Sequence, residues 1–154
     1  MTAISFVTKL VTVMAANSQF SIAVHVLAVL AKYGDERVKS DVLAESVNTN
    51  AVVIRRLLCS LSQANLVVSQ TGGGGGTMLA KKPPAISLLE IYRAVSPVEI
   101  FALHRQKPNP NCPVGKNIEA VLSRLQTEIG EVVEEKLGRQ TLQNIIDSVG
   151  INCI

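Results

Sequence analysis

Two adjacent arginines, Arg55 and Arg56, are the side chains of this sequence whose chemistry best suits a polyanionic partner. A guanidinium group is always charged, and its N–H donors match phosphate oxygens or the O6 and N7 edge of guanine. Asn48, Thr49 and Asn50 precede the pair and could add side-chain and amide donors to phosphate. An isolated Arg-Arg pair is more often a solvated helix face, so the surrounding elements must decide between the two interpretations.

Five consecutive glycines at positions 72–76 are the second unusual feature. A glycine-rich loop can cradle phosphates, but the nucleotide-binding version ends in Gly-Lys-Ser/Thr, whereas Thr77 follows the glycines here. The run is therefore better explained as the flexible tip of a β hairpin. A tip without side chains could also approach the sugar-phosphate chain of DNA closely, and Gly73, Gly74 and Gly75 are the candidates for that contact.

The remaining reactive side chains form no catalytic or metal-binding pattern. Three cysteines, at positions 59, 112 and 153, are too widely spaced and odd in number for the disulfide framework of a small secreted protein. The histidines at positions 25 and 104 have no third ligand at a metal spacing, and no catalytic Ser-His-Asp or paired-carboxylate pattern stands out. We therefore expect no enzyme activity, no metal, no cofactor and a reduced, cytoplasmic environment.

The composition favours a small helical protein. Of 154 residues, 47% are hydrophobic but only 3% aromatic, so the core must be built from Leu, Ile, Val and Ala. The apolar stretch 4–16 is interrupted by Lys9 and is too short to cross a bilayer, so no membrane association is expected. Residues 1–112 carry eleven Lys and Arg against six Asp and Glu, whereas residues 113–154 carry four against six, which suggests different tasks.

A core helix and then two further helices are expected around the arginine pair, which falls in the last of the three. Apolar residues at helical spacing predict a first core helix over 20–33. Ser40 is the expected N-cap of a helix over 41–47, and after the turn residues 48–50 a further helix is expected over 51–64. The core-facing stripe of that last helix would comprise Ile54, Leu57, Leu58 and Leu61, and the opposite face Val52, Arg56, Cys59 and Gln63, with Arg55 at its flank.

Two short strands are expected directly after this helix, over 66–69 and 78–80, and the glycine tip joins them. Ser87 and Glu90 are then spaced as a capping box for a helix that runs through Val95. In a winged helix-turn-helix, which has this order of elements, the second helix enters the major groove of DNA. The expected DNA-binding residues are Ser40, Asn48, Thr49, Asn50, Val52, Arg55, Arg56, Gln63, Gly73, Gly74 and Gly75.

The longest predicted helix, over 114–137, follows a loop rich in proline and asparagine at 107–113, and a short helix over 141–149 comes last. The near-heptad apolar seam of the long helix needs a partner helix and so predicts dimerisation. The seam residues are Ile118, Leu122, Leu125, Ile129 and Val132.

These elements predict a mainly α fold with a small β wing. Residues 1–16 would be an N-terminal extension without an assigned role, and residues 17–106 a winged helix-turn-helix DNA-binding domain. Residues 107–154 would supply the loop and the dimerisation helices.

Four stretches of the chain are similar to a known family: SVNTN (46–50), VIRR (53–56), ISLLEIYRAV (86–95) and NPNCPVGK (109–116). In these stretches the chain resembles the Rrf family of bacterial regulators, the family of IscR, NsrR and CymR, and above all its YwnA-like branch. The resemblance covers roughly residues 17–150. It implies a homodimer that binds palindromic double-stranded DNA operators as a transcriptional repressor or activator.

Two departures from the family pattern bear on function. Thr71 stands where family wings often carry an arginine, which argues against reading of the minor groove by the wing. Cluster-binding members carry three closely spaced cysteines after the wing, whereas this chain has only Cys112 there, so no iron-sulfur cluster is expected. Cys112 precedes the long helix, whose N-terminus would lower the pKa of the thiol. It is either a redox sensor or a small packing residue of the loop.

The leading hypothesis is therefore a homodimeric DNA-binding repressor that also responds to thiol oxidation. The alternative is a protein-interaction module that keeps the winged fold but has lost DNA binding. The modest net charge of +3 and the residue Thr71 favour that alternative.

Overall fold

The computed structural model describes residues 2–95 and 99–150, with side chains from residue 18 onward. The elements follow in the order α1 (Thr2–Tyr33), α2 (Ser40–Val47), α3 (Ala51–Gln63), β1 (Val67–Gln70), β2 (Gly76–Leu79), a 3-10 helix (Pro83–Ala85), α4 (Leu88–Val95), α5 (Pro113–Gly138) and α6 (Leu142–Val149). The fold is mainly α with a small β wing, as predicted. α1 is longer than the predicted helix over 20–33, because one continuous helix also includes residues 2–16.

The buried face of α1 lies at the centre of the core. Ala23, Val26, Leu27 and Leu30 are each 0% exposed and form one stripe at helical spacing. α2, α3, α4 and α6 all contact α1, so a single helix organises most of the helical packing. α1 ends before Gly34, whose φ of 60° is in the left-handed region that glycine adopts without a side-chain clash.

The segment from α2 to α3 is a helix-turn-helix. α2 begins one residue earlier than predicted, so Lys39 and not Ser40 is its N-cap, and Lys39 makes no side-chain capping hydrogen bond. Asn48 ends α2 in the left-handed region with a φ of 59°, a conformation that asparagine tolerates better than most residues. Asn50 caps α3, because its side-chain oxygen accepts a hydrogen bond of 2.8 Å from the amide of Val52.

β1 and β2 form the wing as an antiparallel pair, with Val67 opposite Leu79 at one end and Gln70 opposite Gly76 at the other. The strands are thus displaced by one or two residues from the predicted 66–69 and 78–80. A further bridge joins the wing to the segment before α2: Val38 and Thr77 exchange two backbone hydrogen bonds of 2.8 Å. This bridge was not predicted, and it fixes the base of the wing beside the helix-turn-helix.

The predicted capping box of α4 is confirmed. Ser87 Oγ accepts a hydrogen bond of 3.1 Å from the amide of Glu90, and Glu90 Oε2 accepts one of 2.9 Å from the amide of Ser87. A second capping box, which was not predicted, joins Thr141 and Asn144 at the start of α6. Thr141 is therefore the N-cap of the last helix and not its first residue.

The described residues divide into two compact units. One comprises those of Met1–Ser96 and Leu137–Ile154, and the other those of Pro97–Lys136. The core described above belongs to the first unit. α5, which lies mostly in the second, has no buried side chain along its length. Of its predicted seam, Ile118, Leu122 and Ile129 are half-buried, while Leu125 is 44% and Val132 66% exposed.

Within these described ranges, none of the helices combines the length and the apolar character that a membrane span requires.

Candidate nucleic-acid interface

α3 has an inner face that packs and an outer face that does not. The inner stripe is confirmed: Ile54, Leu57, Leu58 and Leu61 are between 0% and 7% exposed. The outer face is exposed and carries Val52, Arg55, Arg56, Cys59 and Gln63. Because the inner stripe anchors the helix, these outer side chains project from a fixed support.

A cleft of about 760 Å³ lies between the outer face of α3 and the wing. Arg55, Cys59 and Gln63 line it on the helix side. Across from them, the wing contributes Gln70 and Thr71. The cleft therefore combines guanidinium, amide and hydroxyl groups, which are the groups that hydrogen-bond to phosphates and base edges.

Arg55 is bonded to the helix that precedes α3. Its Nε donates to Ser40 Oγ at 3.3 Å, and its Nη2 donates to Asp41 Oδ1 at 3.4 Å. The two charged side chains are 58% and 75% exposed, so the ion pair contributes little to folding stability. Ser40, which was expected to cap α2, instead holds the arginine of the next helix.

Arg56 lies at the other edge of the outer face of α3 and does not line the cleft. It lines a separate groove of about 300 Å³ together with Ser18 and Gln19 of α1 and Val95 of α4. Within the described part of the chain, Arg56 forms no ion pair. Two residues that are adjacent in sequence therefore face different surroundings, since successive helical positions differ by about 100°.

The glycine tip divides into residues that the fold requires and residues that it leaves free. Gly72 and Gly76 have φ values of 103° and 146°, which L side chains rarely adopt. A Cβ on Gly75 would lie only 2.4 Å from a backbone oxygen of β1. By contrast, a Cβ on Gly73 or Gly74 would meet no atom within 4 Å. The fold therefore requires a residue without a side chain at Gly75, whereas Gly73 and Gly74 are free to contact a partner.

The structure brings together only part of the predicted DNA-binding set. Ser40, Arg55, Gln63 and Gly75 line the cleft, while the predicted residues outside its lining are Asn48, Thr49, Asn50, Val52, Arg56, Gly73 and Gly74. Lys39, Asp41, Gln70 and Thr71 also line it, although none of them was predicted as a DNA-binding residue. The basic charge of Lys39 is a sequence feature that could have indicated its place in the cleft. No neighbouring residue could have indicated that of Asp41, because its partner Arg55 lies 14 residues further along the chain.

Cys112 lies at the N-terminus of α5, as the sequence suggested. Its carbonyl accepts a hydrogen bond of 2.9 Å from the amide of Lys116, and its thiol is exposed. The amides of Gly115 and, to a smaller extent, Val114 hydrogen-bond to that thiol and lower the pKa of Cys112. Amide donors have this effect because they stabilise the thiolate. Cys59 is also a free, exposed cysteine.

Comparison with known proteins identifies relatives over most of the chain. A family profile described as "Rrf2: Iron-dependent Transcriptional regulator" matches residues 16–148. YwnA of Bacillus subtilis (strain 168), named as an HTH-type transcriptional regulator, is 39% identical over 132 residues, which are 85% of this chain and 96% of that protein.

Solved structures agree with this result. A crystal structure of a DNA-binding protein is 34% identical with a TM-score of 0.67, and the match covers 83% of this chain and 98% of that one. CymR, the global cysteine regulator of B. subtilis, has a TM-score of 0.60 at 23% identity, with 84% and 94% covered. IscR of T. potens has a TM-score of 0.62 at 21% identity, with 85% of each chain covered. These last two likenesses concern the fold alone.

The iron in the family description has no matching site among the described residues. Across residues 2–95 and 99–150, no three His, Cys, Asp or Glu side chains come together as ligands of a metal ion. Cys153 lies outside the described residues. The donor set described therefore does not fit an iron centre.

Proposed function

Since the chain belongs to the Rrf2 family of transcriptional regulators, we propose that it acts as a homodimeric repressor that binds a palindromic DNA operator. It is a regulator and not an enzyme. The observation that carries the proposal is the exposed outer face of α3, on which Arg55 lines the cleft beside the wing and Arg56 lies outside that cleft. In the proposal this face enters the major groove, as the second helix of a helix-turn-helix does.

The other predicted contacts have supporting roles in this proposal. Thr49 and the amides at the start of α3 bind phosphate, with Asn48 and Asn50 shaping the turn. Val52 and Gln63 reach base edges from the outer face of α3. The side-chain-free tip of the wing contacts the sugar-phosphate chain through Gly73 and Gly74.

The exposed seam of α5 supports the homodimer. Residues such as Leu125 and Val132 leave apolar surface in water, and a second copy of the helix would cover it. A two-fold dimer presents two copies of α3 and so matches a palindromic site. The proposal assigns residues 17–106 to DNA binding and 107–154 to dimerisation, gives residues 1–16 no role, and places the protein in the cytoplasm with its DNA.

A thiol response through Cys112 is the second part of the proposal. Its support is the exposed thiol at the start of α5, whose lowered pKa increases the thiolate fraction near neutral pH. In this proposal Cys112 and a second thiol form a disulfide, and their two protons and two electrons pass to an oxidant such as diamide. The bond would change the start of the dimerisation helix and thereby weaken operator binding.

The test of DNA binding is a fluorescence-anisotropy titration with DNA from upstream of the protein's own coding sequence. We expect Arg55→Ala/Arg56→Ala to weaken binding by about 100-fold or more, because each subunit loses two contacts. The matched control, Lys32→Ala/Arg124→Ala, removes the same charge from exposed positions that belong neither to the cleft lining nor to the seam of α5. If the arginine variant binds as the control does, α3 is not the recognition helix. If the wild type binds neither this DNA nor any sequence selected from a random pool, the protein-interaction alternative is favoured.

The sign of regulation is tested by transcription in vitro from the same promoter DNA. A repressor lowers the transcript yield over the concentration range in which it binds, because it occupies DNA that the polymerase needs. A rise in yield over that range would identify an activator instead.

The thiol response is tested by repeating the DNA titration with diamide. We expect diamide to weaken binding by the wild type and by Cys59→Ser, but not by Cys112→Ser. A response that persists in Cys112→Ser and disappears in Cys59→Ser would move the sensor to the outer face of α3.

A further inference from the structure

The contact between α2 and Arg55 fixes one edge of the guanidinium group. Nε and Nη2, the two nitrogens that point to the same side of the group, donate to Ser40 and Asp41 at 3.3 and 3.4 Å. The guanidinium is planar, with its N–H donors in a rigid fork. Two bonds along one edge therefore fix the direction of the adjoining edge at the end of the side chain, where the N–H groups of Nη1 and Nη2 lie side by side.

That end of the group has the donor pattern that guanine requires. Two parallel N–H donors match the O6 and N7 acceptors of guanine in the major groove. The Arg55 side chain remains 58% exposed although one edge is bonded, and it borders the cleft beside the wing. It can therefore accept a base without first breaking its bonds to α2.

Unless it orients Arg55, the carboxylate of Asp41 would only weaken DNA binding at this position. Its carboxylate lines the cleft and is 75% exposed, so it would repel the phosphates of bound DNA. As an exposed partner of Arg55 it adds little to the stability of the fold. A carboxylate at this point is useful if it orients the arginine, since a held side chain loses less conformational entropy on binding.

We propose that Asp41, with Ser40, is a positioning residue that directs Arg55 to a guanine in each half-site, whereas Arg56 neutralises phosphate. This inference rests on the proposed function and adds the sequence preference of the same interface. Arg56 differs because it has no such partner in the described part of the chain and lines a separate groove at the other edge of the outer face. A charge without fixed direction strengthens binding to every sequence about equally.

The experiment selects DNA from a random duplex pool with the wild-type protein and with variants, and then measures affinity for the selected site and for versions with guanine replaced. We expect the wild type to select a guanine at symmetry-related positions. Arg55→Ala should lose most of a preference of about 5- to 100-fold for that guanine. Asp41→Ala should lower the same preference by about 5-fold or more although Arg55 is still present, while binding to unrelated DNA stays equal or becomes tighter.

Matched variants separate positioning from simple loss of charge. Glu45→Ala removes an acidic side chain from the same helix and should leave the guanine preference unchanged. Arg56→Ala should weaken all sequences evenly and reduce the dependence of log K on log salt by about one per contact. Ser40→Ala should lower the preference by about 2-fold, and it tests the idea if Asp41→Ala fails to fold. Asp41→Ala/Arg55→Ala should show no further loss of preference than Arg55→Ala.

The outcomes distinguish this inference from the proposed function. If the wild type selects a motif and both Asp41→Ala and Ser40→Ala keep its guanine preference, the positioning role is wrong while DNA binding stands. If the wild type enriches no sequence at all, the proposed function fails and the positioning role fails with it.

Discussion

α3 and α5 have the same kind of apolar pattern but use it differently. The stripe of α3 is covered by its own chain, and none of its four residues is more than 7% exposed. The seam of α5 has no buried residue, and Val132 in it is 66% exposed. Because burial of apolar area is the main favourable term in folding, α3 stabilises the chain that contains it. α5 would obtain a similar gain from the second copy of the chain in the dimer that we propose.

The largest effect is expected on the buried side of α3. Ile54→Ala should lower the free energy of unfolding by about 2–5 kcal/mol, since Ile54 is fully buried and its truncation leaves a cavity. Urea denaturation measures the change. Val53→Ala, at a neighbouring position that is 42% exposed, is the control and should change stability by about 0.5 kcal/mol or less. Equal losses in the two variants would contradict the division of α3 into two faces.

The corresponding change in α5 should affect association. Ile129→Ala is expected to weaken the proposed dimer by about 1.5–3 kcal/mol, because it removes an apolar side chain that the partner would bury. Sedimentation velocity over a range of protein concentrations measures this change, with Glu131→Ala, at an exposed position away from the seam, as control. The loss should depend on concentration, unlike that of Ile54→Ala. If the wild type is monomeric, or if Ile129→Ala leaves the dimer affinity unchanged, the seam of α5 is not buried by a second copy.

In the wing, too, one glycine is enclosed by its own chain and another is open to solvent. Gly75→Ala should cost about 1–3 kcal/mol, because its Cβ would lie 2.4 Å from a backbone oxygen and must displace the hairpin. Gly73→Ala, in open space, should be neutral or stabilise the protein by about 0.4–1 kcal/mol through the unfolded chain. Thermal unfolding by circular dichroism compares the two. Equal midpoints would mean that the hairpin tip adjusts freely.

The smallest effect is expected at the half-buried start of α4. Lys81 and the amide and hydroxyl of Ser87 lower the pKa of Glu90 below its usual 4.5, Lys81 having the largest influence. Because the folded-state pKa is the lower one, the carboxylate stabilises the fold above pH 4.5, and this contribution disappears as the pH falls through the folded-state pKa.

Glu90→Gln tests this contribution. The Glu90 side chain is 42% exposed, so the variant should lose about 0.5 kcal/mol at pH 7 and much less at pH 3. Urea midpoints at the two pH values measure the difference. A larger loss at pH 3 would reverse the assigned sign.

The elements closest to regular patterns could be predicted from the sequence, because their signals are local. The stripe of α3, the Ser87–Glu90 capping box and the helix that follows Cys112 depend on residues within a few positions of one another. The ends of elements were predicted less well. Ser40 was expected to be the N-cap of α2, but the fold of the preceding segment makes Lys39 the cap.

The sequence by itself therefore determined the order of the helices, the winged fold, the family and the two apolar stripes. Only the tertiary structure decided which stripe the chain covers itself. It also separated Arg55 from Arg56, joined Arg55 to Asp41 across 14 positions, and joined Val38 to Thr77 at the base of the wing. The physical reason is that helical periodicity records the direction of a side chain about its own axis. Its partner depends on how distant segments pack.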